Sequence, residues 1–189
     1  MRRAKIERKT KETQIYIDVN LDGNGKATID TPLNFLNHLL TLLSYHSLID
    51  VNIKAQGDLK HHLVEDLAIT LGSCIDKALG EREGISRYGF SIVPMDEALA
   101  LVSLDLVKRS NFFCEMDLKR ENIEDLASED LLHFLSSLAS NINCTLHIKI
   151  LRGNNDHHVV EAVFKALALA FREAISPEKR TLPSSKGVM

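Results

Sequence analysis

The sequence predicts an α+β fold of two internally duplicated βββαβα halves, with sheets covered by helices. Three observations predict it. Hydrophobic periodicity switches between alternation and a helical stripe in the same order twice. The segment LNHLLTLLSYHSLIDVNIKAQGDLKHHLVEDLAITLGSCIDKAL aligns with LLHFLSSLASNINCTLHIKILRGNNDHHVVEAVFKALALAFREAI, matching His38 to His133, His61 and His62 to His157 and His158, and Glu65 to Glu161. The 189 residues, 44% of them apolar, suffice for a real core without disulfides. The two repeats are read as 1–84 and 85–189, fused into one compact unit.

The elements follow in order. Residues 4–10 and 14–21 alternate as strands, with Thr13, Ile15, Ile17 and Val19 on one face. Asp22-Gly23-Asn24-Gly25 is a turn before a short return strand at 26–30. Residues 33–47 are too long and too uniformly apolar for a half-exposed strand, so a buried helix is expected. A strand at 50–56 leads to a helix over 61–80, whose stripe includes Leu63, Leu67, Leu71, Ile75 and Leu79, with Gly80 as its cap. In the second half, strands are expected at 85–93, 98–106, 111–118 and 144–151. Helices are expected at 129–140, with Asn141 as its cap, and at 157–175, with Asp156 as N-cap and Pro177 as stop.

Composition excludes several classes. A net charge of −3 leaves no basic footprint for nucleic acid, and an absence of Trp weakens base stacking. No apolar run approaches the roughly 20 residues that span a bilayer. The charged opening MRRAKIERKTKETQ has no apolar stretch after it and is not read as a secretory signal. Cys74, Cys114 and Cys144 are far apart and lie in apolar contexts, so reduced core thiols and a cytoplasmic location are expected.

The chemistry lies in the duplicated His…His-His-x-x-Glu element. On a helix, residues four apart share a face, so the first His and the Glu point together while the second His points elsewhere. One ion cannot easily take both adjacent imidazoles, but two ions can share them. His38, His61, His62, Glu65, His133, His157, His158 and Glu161 then supply three imidazoles and one carboxylate to each of two divalent first-row ions. A lone His on an apolar helix is usually structural. Here six of the eight histidines fall in the constellation, which decides for metal. Of the other two, His147 lies mid-strand and is read as structural, and His46 closes the first helix, where facing the site and facing away are equally open readings.

LNHLL, HHLVED, RYGFSIVPMDEALA, NDHHVVEAVFKALALAFREA and the terminal SSKGV resemble the imidazoleglycerol-phosphate dehydratase family over essentially the whole chain. The opening ERKTKETQIYIDVNLDGNG is similar to that family's first hairpin. Departures are Asn37 for Asp, Leu63 for Thr, Ser110 for Pro, and a shortened loop at 57–60 that lacks an acidic residue expected near the histidines.

The resemblance implies a ribosomal-domain-2-like or GHMP-kinase-like superfold. It also implies dehydration of imidazole glycerol phosphate to imidazole acetol phosphate in histidine biosynthesis, by way of a metal-stabilised imidazolate and a diazafulvene. It implies two manganese ions per site and the eight ligands named above. It implies a homo-oligomer of 24 subunits with sites at subunit interfaces, with no nucleic-acid or membrane partner. Glu12, Glu65 and Glu161 are its candidate acids or bases, with His46 secondary. Arg87, Arg109, Lys165 and Lys186 match phosphate-binding positions, and Ser184 and Ser185 can donate hydroxyl hydrogen bonds beside them. A dinuclear hydrolase would need bridging carboxylates, and the His-rich set offers no Asp bridge. A non-catalytic metal-assembled protein would leave Glu12 and the phosphate-type cations without a reason to gather.

Overall fold

The computed structural model of the chain describes residues 1–178 and 183–184. The first half runs β1 (Arg3–Lys9), β2 (Thr13–Asn20), β3 (Ala27–Asp30), α1 (Asn34–Ser47), β4 (Asp50–Gly57) and α2 (Lys60–Leu79). The second runs β5 (Tyr88–Met95), β6 (Ala98–Asp105), β7 (Asn111–Glu115), a small hairpin of β8 (Asn122–Ile123) and β9 (Leu126–Ala127), α3 (Ser128–Ile142), β10 (Thr145–Arg152) and α4 (Asp156–Ala174). Each half builds one four-stranded sheet, in the orders β1-β2-β4-β3 and β5-β6-β10-β7. In both, the strand between the two helices enters the sheet antiparallel to one neighbour and parallel to the other. The duplicated βββαβα order is therefore present, with the β8–β9 hairpin added to the second half.

The helices lie between the sheets and pair across the halves. α1 packs against α4 and α2 against α3, while α2 covers β1 and β2 and α4 covers β5 and β6. One apolar core runs through all of it, joining Ile15 and Ile17 of β2, Leu67 and Leu71 of α2, Leu135 of α3 and Phe164 of α4. Each such side chain contributes about 1.5–3 kcal/mol when fully buried. Two glycines set the packing distances. A Cβ on Gly89 would stand 1.9 Å from the carbonyl oxygen of Ala170, so α4 lies directly on the β5 backbone. A Cβ on Gly72 would stand 2.7 Å from the Asn141 side chain, which is how closely α2 approaches α3. Buried Arg82 ties the same helices at their C-terminal ends, donating to the carbonyls of Asn143 (2.9 Å) and Ile142 and to Asp76.

Several expectations need correction. α1 is not buried all round: Phe35, Leu36, Leu39, Leu40 and Leu43 face the core, while His38, Thr41 and Tyr45 are exposed. β5 begins at Tyr88 because Arg87 adopts a left-handed φ of 71° and Ile85 bridges to Pro177 instead. Asn155, not Asp156, caps α4, accepting from the His157 N–H at 3.0 Å. α3 runs past Asn141 and closes on Asn143, whose φ of 56° is the left-handed conformation Asn tolerates. Cys74, Cys114 and Cys144 are free thiols, although Cys114 is only half-buried. No helix among the described residues is long and apolar enough to cross a membrane.

On the outer face of the first sheet, Asp18 accepts from Arg3 at 2.7 and 2.9 Å, and Lys5 Nζ lies at 2.9 Å. Its carboxyl is lowered from 3.8 to about 2, chiefly by the Arg3 hydrogen bonds. Because the folded value lies below the unfolded one, the contribution is present above pH 3.8 and is lost as pH falls toward 2. Thermal unfolding of Asp18→Asn is therefore expected to differ from the parent at neutral pH. The difference should shrink between pH 4 and 2.

Candidate active site

The pairing of helices across the halves brings the duplicated residues into two sets. In the first, His38 of α1 meets His157 and Glu161 of α4. His38 Nε2 lies 2.9 Å and His157 Nε2 3.1 Å from Glu161 Oε1. In the second, His133 of α3 meets α2, with its Nε2 3.1 Å from Glu65 Oε1. The His61 ring stands beside it, centroid to centroid at 5.3 Å. The observed separations of 2.9–3.1 Å are those of N–H···O hydrogen bonds, which hold each imidazole against its glutamate. Among the described residues, no group of three or more His, Cys, Asp and Glu side chains in one chain is arranged to hold an ion by itself. What the chain presents is two open sets.

The four paired histidines share a second feature. Each has its Nδ1 against a carboxylate: His61 on Asp130 (2.6 Å), His62 on Asp58 (2.8 Å), His157 on Glu124 (3.2 Å) and His158 on Glu97 (2.8 Å). A carboxylate on Nδ1 orients the ring and turns Nε2 outward as the nitrogen available to an ion; in His157 that nitrogen already lies 3.1 Å from Glu161. These partners answer the departure in the 57–60 loop. Asp58, within the loop, serves His62, and Asp130 reaches His61 from α3. Asn37 pins the start of α1 instead, exchanging hydrogen bonds with Thr31 at 2.7 and 2.9 Å.

The surroundings shift the proton affinity of several of these groups. The Asp130, Asp58 and Glu97 partners raise the affinity of His61, His62 and His158 for a proton. Glu97 is lowered to about 2 by His158 and by the Asn155 N–H. Burial opposes ionisation of Glu161, but Lys165 and His38 outweigh it and hold the carboxyl at about 2. Lys165 Nζ sits 2.7 Å from Glu161 Oε2 and 3.1 Å from Met95 Sδ. Asp125, in the β8–β9 turn, accepts from the N–H groups of Asn34 (2.6 Å) and Phe35 (3.0 Å), fixing the N-terminus of the helix that carries His38.

Glu12 lies in the β1–β2 turn, 3.9 Å from His62 Nδ1. Thr10 Oγ1 organises that turn, accepting from the N–H groups of Glu12 (3.1 Å) and Thr13 (2.9 Å). Asp66, next to Glu65 on α2, anchors it by accepting from Thr13 Oγ1 at 2.6 Å and Arg8 at 2.8 Å. His62 and His158 point away from the two sets, as the helical geometry predicts. The His46 ring is half-buried, and burial followed by nearby Lys165 lowers its proton affinity. His147 stacks on Phe113 of the neighbouring strand at 4.6 Å and takes no part in either set.

The remaining phosphate candidates lie elsewhere in the chain. Arg87 donates to both oxygens of Asp105 (2.6 and 2.9 Å) and to the Pro183 carbonyl (2.9 Å). Its N–H binds the Ala174 carbonyl at the far end of α4. That end is about 25 Å from His157, at about 1.5 Å of helix per residue. Arg109 is exposed at the same end of the second sheet, its carbonyl accepting from Thr145 Oγ1 at 3.4 Å. Ser184 is among the described residues; Ser185 and Lys186 lie outside them. The fold gathers the metal-type ligands, but Arg87 and Arg109 stand apart from both sets within one chain.

Residues 31–171 match the family model for imidazoleglycerol-phosphate dehydratase. The chain belongs to that family. It is 49% identical over 190 residues to the imidazoleglycerol-phosphate dehydratase of Chlorobium phaeovibrioides, covering 99% of this chain and 95% of that protein. The enzyme of Chloroherpeton thalassium is 47% identical, with 100% and 98% covered. Among solved structures, the Staphylococcus aureus enzyme superposes with a TM-score of 0.85 at 34% identity, over 93% of this chain and 99% of that one. The Pyrococcus furiosus enzyme, in complex with (S)-C348, gives 0.86 at 39% identity, over 97% and 100%. The chain is accordingly a carbon–oxygen lyase that dehydrates imidazoleglycerol phosphate in histidine biosynthesis.

Proposed function

We propose that the dehydration is metal-dependent and proceeds at sites completed by a second copy of the chain, giving imidazole acetol phosphate as product. The observation that carries this reading is the set of four carboxylate-backed histidines, each presenting Nε2, on helices that also present Glu65 and Glu161. Imidazole and carboxylate donors suit divalent first-row ions, with manganese the ion the family resemblance implies. When bound, such ions act as Lewis acids on the substrate ring and as a template for it.

The chain's own groups have separable roles. His38, His157 and Glu161 would contribute to one ion and His61, His133 and Glu65 to the other. His62 and His158, turned outward, would each complete a set on a neighbouring copy. Such an arrangement suits a homo-oligomer, and the family resemblance implies 24 subunits. Glu12, beside His62, would take the proton from the substrate carbon one removed from the ring, the ring-bound carbon being the one that loses its hydroxyl. Glu65, Glu161 and His46 are the other candidates for proton transfer. Phosphate would be held by Arg87, Arg109, Lys165, Ser184, Ser185 and Lys186, with Arg87 and Arg109 reaching a site across the subunit boundary. The reduced thiols agree with a cytoplasmic location.

Removing divalent ions with a chelator should abolish dehydratase activity, and manganese should restore it. Full turnover by protein shown by elemental analysis to be metal-free would refute the metal dependence.

A further inference from the structure

The two sets are duplicates, but what surrounds them is not. Position 130, three residues before His133, is aspartate; the matching position before His38 is Phe35. Asp130 puts a carboxylate, only 8% exposed, on His61 Nδ1 at 2.6 Å. Phe35 instead lays its ring against His157 at 4.9 Å. The carboxylate backing His157 comes from Glu124 in the hairpin that only the second half possesses, and it is 55% exposed. Position 165, four residues after Glu161, is lysine, and its Nζ holds Glu161 Oε2 at 2.7 Å. The matching position after Glu65 is Ile69.

Formal charge follows from these differences. The His61–His133–Glu65 set carries two negative charges, on Glu65 and Asp130. The His38–His157–Glu161 set carries those of Glu161 and Glu124, offset by the positive charge of Lys165. Its second anion is also the better solvated. An ammonium group a few ångströms from a divalent ion opposes its binding, most strongly where solvent is scarce. An anion on the far nitrogen of a ligating imidazole strengthens binding.

We propose that the two cations are held unequally, the His61–His133–Glu65 set binding its ion more tightly than the His38–His157–Glu161 set. This rests on the reading that the chain binds divalent ions at all. Asp130 acts here as a positioning residue for His61. Lys165 acts as a resident counter-charge that an incoming ion must compete with for Glu161. An unequal pair suits a template in which one ion stays in place while the other exchanges more readily.

The test uses the assembled, manganese-loaded protein. Dialysis against chelators of graded strength, followed by elemental analysis, should show two ions per chain, then a plateau near one, then none. Anomalous diffraction at the plateau should place the remaining ion on His61, His133 and Glu65. Asp130→Asn should loosen that ion alone, by about 10–100-fold, the scale of outer-partner changes at metal sites. A general folding defect would release both ions together. Lys165→Met should tighten the weaker ion and erase the plateau from the other side. Joint release of both ions in the parent protein, or a plateau ion found on the His38 set, would overturn the inequality while leaving metal binding intact. Failure of the parent to bind any divalent ion would remove the underlying reading and this inference with it.

Discussion

Glu12→Gln is expected to lower turnover by about 10²–10⁴-fold, the range supplied by a well-placed proton-transfer group. Its metal content should stay unchanged. The substitution keeps the side chain's size and removes only its ability to carry a proton. The turn that presents it is held by Thr10 and by Asp66 acting through Thr13 and Arg8, none of which depends on the Glu12 carboxylate. Steady-state kinetics beside elemental analysis separate the two effects. Near-parent turnover in Glu12→Gln would assign the proton to Glu65, Glu161 or His46.

The second large effect is expected from His62→Ala and His158→Ala. Neither side chain belongs to a set within its own chain, so a purely local view predicts little change. If each completes a set on a neighbouring copy, either substitution removes one ligand from every site of one kind. Structural zinc sites bind with about 10–16 kcal/mol spread over their ligands, so one lost ligand should weaken that ion roughly 100-fold. Because ion and neighbour would be held by the same bonds, the assembly should loosen in step with metal loss. Sedimentation velocity with and without added manganese reads both. Variants that keep full metal content and an unchanged size would show that these imidazoles are not ligands.

Much of this was legible in the sequence because duplication wrote each signal twice. The alternation of Thr13, Ile15, Ile17 and Val19 and the stripe through Leu63, Leu67 and Leu71 are local patterns, and both are buried as expected. The outward turn of His62 and His158 follows from helical geometry alone. What stayed hidden was set by long-range packing. Asp130 meets His61 across 69 residues of sequence, and Glu97 meets His158 across 61. No local period encodes either contact. Glu97 stood in a segment that looked distinctive, and Asp130 sat one helical turn before His133, but neither position states its partner. The β8–β9 hairpin leaves no sequence signal because two-residue strands are too short to alternate. The cap of α4 was misplaced by one residue because Asn155 and Asp156 are both good capping types; Asp156 instead accepts from the N–H groups of Lys119 (2.9 Å) and Arg120 (2.8 Å). The position of Arg87, about the length of α4 from His157, depends on which end of that helix each residue meets.

Crystals of the manganese-loaded protein, with data collected at the manganese absorption edge, show where the ions sit and which copy supplies each ligand. Two anomalous peaks per chain are expected. Each should be ligated by two imidazoles and one glutamate from one copy, with His62 or His158 of a neighbouring copy completing it. Peaks away from these residues, or a full ligand shell supplied by a single chain, would contradict it.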